Sequence, residues 1–126
     1  MGTSILKQRD YLIATVQSDL SDEEWQQFQD DLVRRIGLTR ARAVVIDVTE
    51  IDVLDSYAAR ILGTTVEMVR LRGAEAIIVG IQPDVAFAMV QLGLTLDRVT
   101  MALDLEDGLE YLDSIGPRRR HSIHAD

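Results

Sequence analysis

The chain has 126 residues, of which 47% are hydrophobic, and it contains no cysteine. This length suits one domain around one core, and the missing cysteines exclude disulfides, thiolate nucleophiles and cysteine-ligated metal sites. Asp and Glu number 21 against 13 Lys and Arg, and the net charge of −8 disfavours nucleic acid as a partner because it repels phosphate backbones.

Targeting and membrane signals are missing from the sequence. The N-terminus has no basic region followed by a long apolar run. No stretch reaches the roughly eighteen apolar residues that are needed to cross a bilayer. We therefore expect a soluble, cytoplasmic protein that does not insert into membranes.

Five short apolar runs predict the strands of a sheet. The first two are separated by three polar residues, as in a hairpin, and the later ones are rich in β-branched residues, which is typical of parallel strands buried on both faces. In chain order the runs are "SILK", "YLIATV", "RAVVIDV", "AEAIIVGI" and "DRVTMAL".

The first helix is predicted to begin at Ser21. Ser21 and Glu24 have the spacing of a capping box. Leu20 and Trp25 occupy the two positions of a hydrophobic staple. The apolar pattern continues to about Ile36, so we expect this helix to stop at the glycine that follows.

Two later helices complete the predicted fold. One opens at Pro83, which suits a first helical position because no amide hydrogen is needed there, and ends near Gly93. The last begins after Asp104 and closes near Gly116, with its leucines on one face. The alternation predicts a single α/β domain, with a mostly parallel sheet of about five strands, an N-terminal antiparallel hairpin strand and four covering helices.

The end of the chain is predicted to be a flexible tail over residues 117–126, which leaves residues 1–116 as the domain. Gly116 and Pro117 follow the last helical pattern, and three arginines come next. We favour a solvated end over an electrostatic tether for this basic run.

The second helix begins inside "DVTEIDVLDSYAARIL", where Ser56 directly follows Asp55. A helical wheel separates a core-facing side from an outward side, on which Ala59 and Gly63 keep the surface low. The predicted core residues are Ala58, Ile61, Leu62, Thr65 and Val69. The predicted outward residues are Ser56, Arg60, Gly63, Thr64 and Glu67.

Ser56 has two explanations on sequence grounds. Asp55 or Ser56 can cap the helix by accepting hydrogen bonds from free amides of its first turn. An exposed hydroxyl at this position can also accommodate a phosphoryl group of about −1.5 to −2 charges, stabilised by the helix end and repelled by nearby carboxylates. Arg60, one turn further on, can reach back to it.

The sequence resembles a known family over about residues 4–115. "DSYAARILG" and "GIQPDVA" match, in register, two motifs of the STAS domains of anti-sigma-factor antagonists, and most closely the RsbS-type scaffold proteins of bacterial stressosomes. The resemblance implies the STAS fold, and it implies that Ser56 is phosphorylated by an RsbT-type serine kinase.

The resemblance also implies a mechanism and partners. The unmodified protein is expected to sequester the kinase and to co-assemble with RsbR-type paralogues, phosphorylation is expected to release the kinase, and an RsbX-type phosphatase resets the switch. Homo- and hetero-oligomers follow, and Leu71 and Leu94 are candidates for an exposed apolar surface. The expected partner-binding residues are Asp55, Ser56, Tyr57, Arg60 and Thr64.

The sequence differs from RsbR-type paralogues in two respects, one of which limits the expected number of phosphorylation sites. Those proteins carry an extra N-terminal sensory domain, whereas the first strand here starts almost at once. They also have a second phosphorylatable threonine where this chain reads "PDVAFAMVQL", which contains neither Ser nor Thr. One switch site is expected here.

Other functions fit the sequence less well. Asp47, Asp52 and Asp55 suggest a magnesium site or a receiver phosphoacceptor, but that chemistry needs a lysine nearby, and the only lysine is Lys7 in the first strand. No G-x-x-x-x-G-K or G-x-S-x-G motif is present, and both histidines lie in the tail. We therefore expect no enzyme activity, cofactor or metal. The alternative is an accessory module of a transport or lipid-trafficking complex, since STAS domains also occur there.

Overall fold

The computed structural model describes the backbone of residues 2–91, 93 and 99–125, and side chains in these ranges as far as Gly116. Within them the chain forms five strands and four helices in one sheet-centred domain. The elements are β1 (Thr3–Gln8), β2 (Tyr11–Val16), α1 (Asp22–Thr39), β3 (Ala43–Asp47), α2 (Ser56–Leu71), β4 (Glu75–Val79), α3 (Pro83–Gln91), β5 (Thr100–Ala102) and α4 (Leu105–Ala125).

The sheet has the predicted mixed topology, with strand order β1-β2-β3-β4-β5. β1 pairs antiparallel with β2, and the three remaining pairings are parallel. Parallel neighbours that follow each other in the chain need a crossover, and α1, α2 and α3 supply these connections. The predicted α/β fold with an N-terminal antiparallel strand and four helices is confirmed.

Two apolar clusters cover the two faces of the sheet. The larger cluster combines one set of alternate strand residues with the buried sides of α1, α2 and α3. The smaller one combines the opposite set with Leu112 of α4. Since residues 43–46 are at most 1% exposed, β3 is buried on both faces, as its β-branched run predicts.

The first helix starts as predicted but ends later. The Ser21 hydroxyl accepts a hydrogen bond from the Glu24 amide at 3.2 Å, and the Glu24 carboxylate accepts one from the Ser21 amide at 2.8 Å. The predicted stop at Gly37 is wrong, because α1 continues to Thr39 and Arg40 forms the left-handed C-cap with φ 54°. Gly37 instead leaves room for a neighbour: a Cβ there would lie 3.1 Å from a guanidinium nitrogen of Arg72.

Tyr11, the first residue of β2, links the sheet to α4 by a hydrogen bond. Its hydroxyl donates to the Asp113 carboxylate at 2.7 Å and accepts from the Arg42 guanidinium at 3.0 Å. The same guanidinium lies 4.9 Å from the centre of the Tyr11 ring. Burial is the main cause that raises the pKa of Tyr11, so the phenol stays protonated at neutral pH and keeps its donor.

α4 keeps its predicted start and its apolar face, with Leu105 and Leu109 packed beside the buried Leu112. Regular helix geometry breaks at Gly116, where φ is 47° and ψ is −169°, and the element then extends to Ala125. The flexible tail over 117–126 stays a prediction. In the part of the chain that the structure describes, no helix has the length and apolarity needed to traverse a bilayer.

Candidate functional site

The loop between β3 and α2 is held in place by two aliphatic side chains. Ile51 and Leu54 are 1% and 5% exposed and belong to the larger core cluster. The Val48 amide donates to the Val79 carbonyl at 3.0 Å, which ties the start of the loop to the end of β4. These anchors fix the position at which α2 begins.

The loop between β4 and α3, over residues 80–82, packs against the first loop. The Gln82 side-chain amide donates to the Thr49 carbonyl at 2.7 Å, and Gly80 lies so close that an added Cβ would overlap the Thr49 side chain. Gly80 also has φ +80°, a conformation that favours glycine. The "GIQP" motif therefore acts in the fold as a clamp on the site, a role that its sequence alone did not reveal.

Asp55, and not Ser56, caps α2. Asp55 has extended backbone angles, and its carboxylate accepts a hydrogen bond from the Ala58 amide at 2.8 Å. Ser56 is the first helical residue, and its side chain is exposed. No residue in the described part of the chain hydrogen-bonds to the Ser56 hydroxyl. Asp55 therefore fills the capping role, and Ser56 keeps an exposed hydroxyl that can accommodate a phosphoryl group.

The predicted faces of α2 are largely confirmed. All five predicted core residues are buried. Ser56, Arg60, Thr64 and Glu67 are exposed and Gly63 is half-buried, as expected for the outward side. The expectation for Ala59 is wrong, because Ala59 is 4% exposed. Ala59 belongs to the larger core cluster, and α2 packs against α1 as well as against β4.

The five expected partner-binding residues differ in how available they are. Asp55, Ser56 and Arg60 are exposed, and Tyr57 is half-buried and packs against the core. Thr64 is exposed, yet its hydroxyl is directed to α1, where it accepts a hydrogen bond from the Gln29 side-chain amide at 2.9 Å. The freely available surface is therefore smaller than the predicted one.

Arg60 is the cation nearest in sequence to Ser56 on the outward side of α2. It lies one helical turn from Ser56, so the two side chains share a face. Within the described ranges, Arg60 forms no ion pair. A phosphate on Ser56 would thus find an uncompensated guanidinium within one turn.

The carboxylates around the loop do not converge on a common point. The Asp47 carboxylate accepts hydrogen bonds from the Thr49 amide at 3.0 Å and the Thr49 hydroxyl at 2.6 Å, so it stabilises the turn after β3. Among the residues with described placement, no cluster of three or more acidic or histidine side chains is arranged to hold a metal ion. Lys7 pairs with Leu12 at the start of β2, whereas Asp47 pairs with Thr15 at its end. The lysine and Asp47 therefore lie at opposite ends of β2, unlike the lysine and aspartate of a receiver site.

Comparisons with known proteins agree on one family. The family model described as "STAS domain" matches residues 3–108. The RsbT co-antagonist protein RsbRA of Bacillus subtilis is 30% identical over 91 residues, which are 72% of this chain and 33% of that protein. The chain thus spans about a third of the length of the curated relatives that it matches.

Two solved structures match along almost their whole length. A serine-to-glutamate variant of RsbS from Moorella thermoacetica has a TM-score of 0.82 and 29% identity, and the match covers 90% of this chain and 96% of that one. A chain of a stressosome structure, described as a signal integration and transduction hub, has a TM-score of 0.77 and 28% identity over 89% and 97% of the two chains.

Proposed function

The chain belongs to the STAS domain family, and from that membership we propose that it is a phosphorylation-switched, non-catalytic scaffold of a bacterial stressosome. In the unmodified state it binds an RsbT-type serine kinase and co-assembles with RsbR-type paralogues. Phosphorylation of Ser56 releases the kinase, and an RsbX-type phosphatase restores the initial state. The near full-length likeness to RsbS and to a stressosome chain supports this proposal.

The observation that carries the proposal is the division of roles between Asp55 and Ser56. Because Asp55 supplies the helix cap through its bond to the Ala58 amide, modification of the Ser56 hydroxyl breaks no hydrogen bond among the described residues. Phosphoryl transfer joins the γ-phosphorus of ATP to the Ser56 hydroxyl oxygen, expels ADP and releases the hydroxyl proton. The exposed side chain allows a kinase to reach it.

The charge change is large at this edge of the molecule. A phosphoserine adds about −1.5 to −2 charges at neutral pH. The helix N-terminus and Arg60 attract this charge, and the exposed carboxylates of Asp52 and Asp55 oppose it. The fold is therefore retained while the surface becomes more negative and Arg60 becomes occupied.

This change explains the proposed release of the kinase. In the unmodified protein Arg60 is free to bind an acidic group of the kinase, with Asp55 and Ser56 beside it. After phosphorylation the same guanidinium pairs with the phosphate, and the added charge repels acidic groups of the partner. Both effects weaken the complex without any rearrangement of the core.

The first experiment maps the modified residue. The protein is incubated with its cognate kinase and ATP, and phosphopeptides are identified by mass spectrometry. Wild type and a Ser18→Ala control, which alters another exposed serine, should both be modified at Ser56, and Ser56→Ala should not be. Phosphate on another residue in the wild type would contradict the proposal.

The second experiment measures kinase affinity by calorimetry. Ser56→Ala should bind like the wild type, and Ser56→Asp should bind at least about tenfold more weakly, a difference of about 1.4 kcal/mol. Asp carries less charge than phosphoserine, so the phosphorylated protein should bind more weakly still. Equal affinities for all forms would rule out release by charge at Ser56.

A further inference from the structure

α3 has an apolar surface on its outward side as well as its inward side. Val85 and Met89 are buried in the larger core cluster. Phe87 and Val90 are 64% and 60% exposed, and the exposed Asp84 lies on the same outward side. A surface helix normally has a polar outer face, so two large exposed apolar residues on the outer face of α3 point to a missing partner.

A second exposed apolar surface, a groove, lies between α1 and α2. It has a volume of about 470 Å³ and is open to solvent along the second half of both helices. Leu38 and Met68 line it and are 73% and 41% exposed, and Leu71 beside it is 87% exposed. The groove therefore presents an apolar surface that no described residue of this chain covers.

The groove also contains Arg72, a cation without an ion-pair partner among the described residues. Arg72 lines it and lies against the α1 backbone at Gly37. No carboxylate in the described ranges forms an ion pair with Arg72. The second arginine of the groove, Arg34, has an exposed pair with Asp31 at 3.2 Å, which contributes little to stability. Asp30 also lines the groove, but the two arginines leave it with an excess of positive charge, so an acidic, apolar helix face is its complement.

We propose that the outer face of α3 of one copy docks into the α1–α2 groove of a second copy. Phe87 and Val90 pack against Leu38 and Met68, and Asp84 of one copy pairs with the Arg72 guanidinium of the other. The contact joins two different surfaces, so each copy retains one free α3 face or one free groove, and the assembly grows until it closes. This inference gives the proposed scaffold its assembly surface and rests on that proposed function.

A second copy fits better than a small ligand because the groove is open and shallow, whereas small-molecule sites enclose most of their ligand. Both exposed apolar surfaces also become covered by the same contact. The acidic net charge of −8 opposes self-association in general. The Asp84–Arg72 pair offsets that repulsion locally and fixes which surfaces meet.

The test uses sedimentation velocity with matched glutamine substitutions at exposed positions. The α3 variant is Phe87→Gln/Val90→Gln, the groove variant is Leu38→Gln/Met68→Gln, and the control is Leu103→Gln, which changes another exposed leucine. Far-UV circular dichroism confirms that all of them fold. Wild type and control should self-associate, and each double variant should associate at least about tenfold more weakly.

Mixing the two double variants tests the pairing directly. One variant keeps its groove and the other keeps its α3 face, so an equimolar mixture should form a 1:1 dimer that grows no further. A mixture that remains monomeric, or a groove variant that still associates alone through α3, would overturn the inference. A wild type that is monomeric at all concentrations would overturn it as well.

Charge exchange tests the ion pair. Arg72→Glu and Asp84→Arg should each weaken association by about tenfold, because each brings like charges together. The combined variant should recover most of the loss, and a combined variant as weak as the single ones would refute the pairing. Phosphorylation of Ser56 by the kinase is measured on every variant. If the variants are still phosphorylated at Ser56 but associate as strongly as the wild type, the proposed assembly surface is wrong and the proposed phospho-switch is unaffected.

Discussion

Replacing Gln29 tests how α2, and with it the proposed switch, is fixed against α1. Gln29 is 6% exposed, and its amide donates to the hydroxyls of Thr64 at 2.9 Å and Thr65 at 3.0 Å. It also approaches the Ile61 carbonyl at 3.4 Å. These bonds are the polar link between the two helices.

The expected loss of stability follows from these contacts. The Thr65 hydroxyl still donates to the Ile61 carbonyl at 2.6 Å when the glutamine is removed, so no buried donor is left unpaired. Two hydrogen bonds at about 1 kcal/mol each, and one buried methylene at about 0.8 kcal/mol, give a loss of about 3 kcal/mol for Gln29→Ala. Gln29→Leu restores the apolar volume and should lose only about 1–2 kcal/mol.

Urea unfolding followed by circular dichroism measures both losses, provided that the denaturant dependence is unchanged. Gln27→Ala is the matched control, since Gln27 is exposed and bonds only along its own helix to Asp31 at 3.0 Å. It should cost at most about 0.5 kcal/mol. If Gln29→Ala cost no more than this control, the link between the helices would contribute nothing.

Three further outcomes are expected. Thr64→Val should change kinase affinity, measured by calorimetry, less than Arg60→Ala does, because the Thr64 hydroxyl is turned to α1. A larger effect of Thr64→Val would contradict a docking surface that leaves Thr64 out. Hydrogen bonds from the capping Ser21 hold the pKa of Glu24 below its usual value. The wild type should therefore have a higher free energy of unfolding than Glu24→Gln above the usual carboxyl pKa, and this difference should fade as the pH falls through the lowered pKa. Urea titrations at several pH values measure the difference. An advantage independent of pH would refute this. Gly80→Ala should lower the stability measured by thermal unfolding by about 1–3 kcal/mol more than Gly73→Ala does. Both glycines have a positive φ, but only an alanine at position 80 would collide with Thr49. Equal losses for the two variants would contradict this collision.

Local patterns were sufficient for most of the fold. The apolar runs located β2, β3 and β4, and the capping box at Ser21 located the start of α1, because these signals depend on neighbours in the chain. The stop at Gly37 was wrong because a glycine inside a helix is tolerated at a modest cost, and here the Arg72 side chain lies close to it. Part of β5 as predicted, and Leu94, lie outside the described residues.

The site was predicted less completely than the fold. A helical wheel gives the direction of a side chain but not its partner, so it located Ser56 on the surface without showing that the Thr64 hydroxyl bonds to Gln29. The link between Tyr11 and Asp113 joins residues 102 positions apart, and no periodic pattern reveals such a contact. The choice between Asp55 and Ser56 as the cap also required backbone angles, because both residue types are good caps.

That choice bears on how such proteins diversify. With helix nucleation assigned to the aspartate, selection can exchange its neighbour for alanine, threonine or glutamate and change the regulatory logic while the folding equilibrium is spared. Under the proposed function, paralogues fixed in the kinase-binding or the kinase-released state are therefore one substitution away.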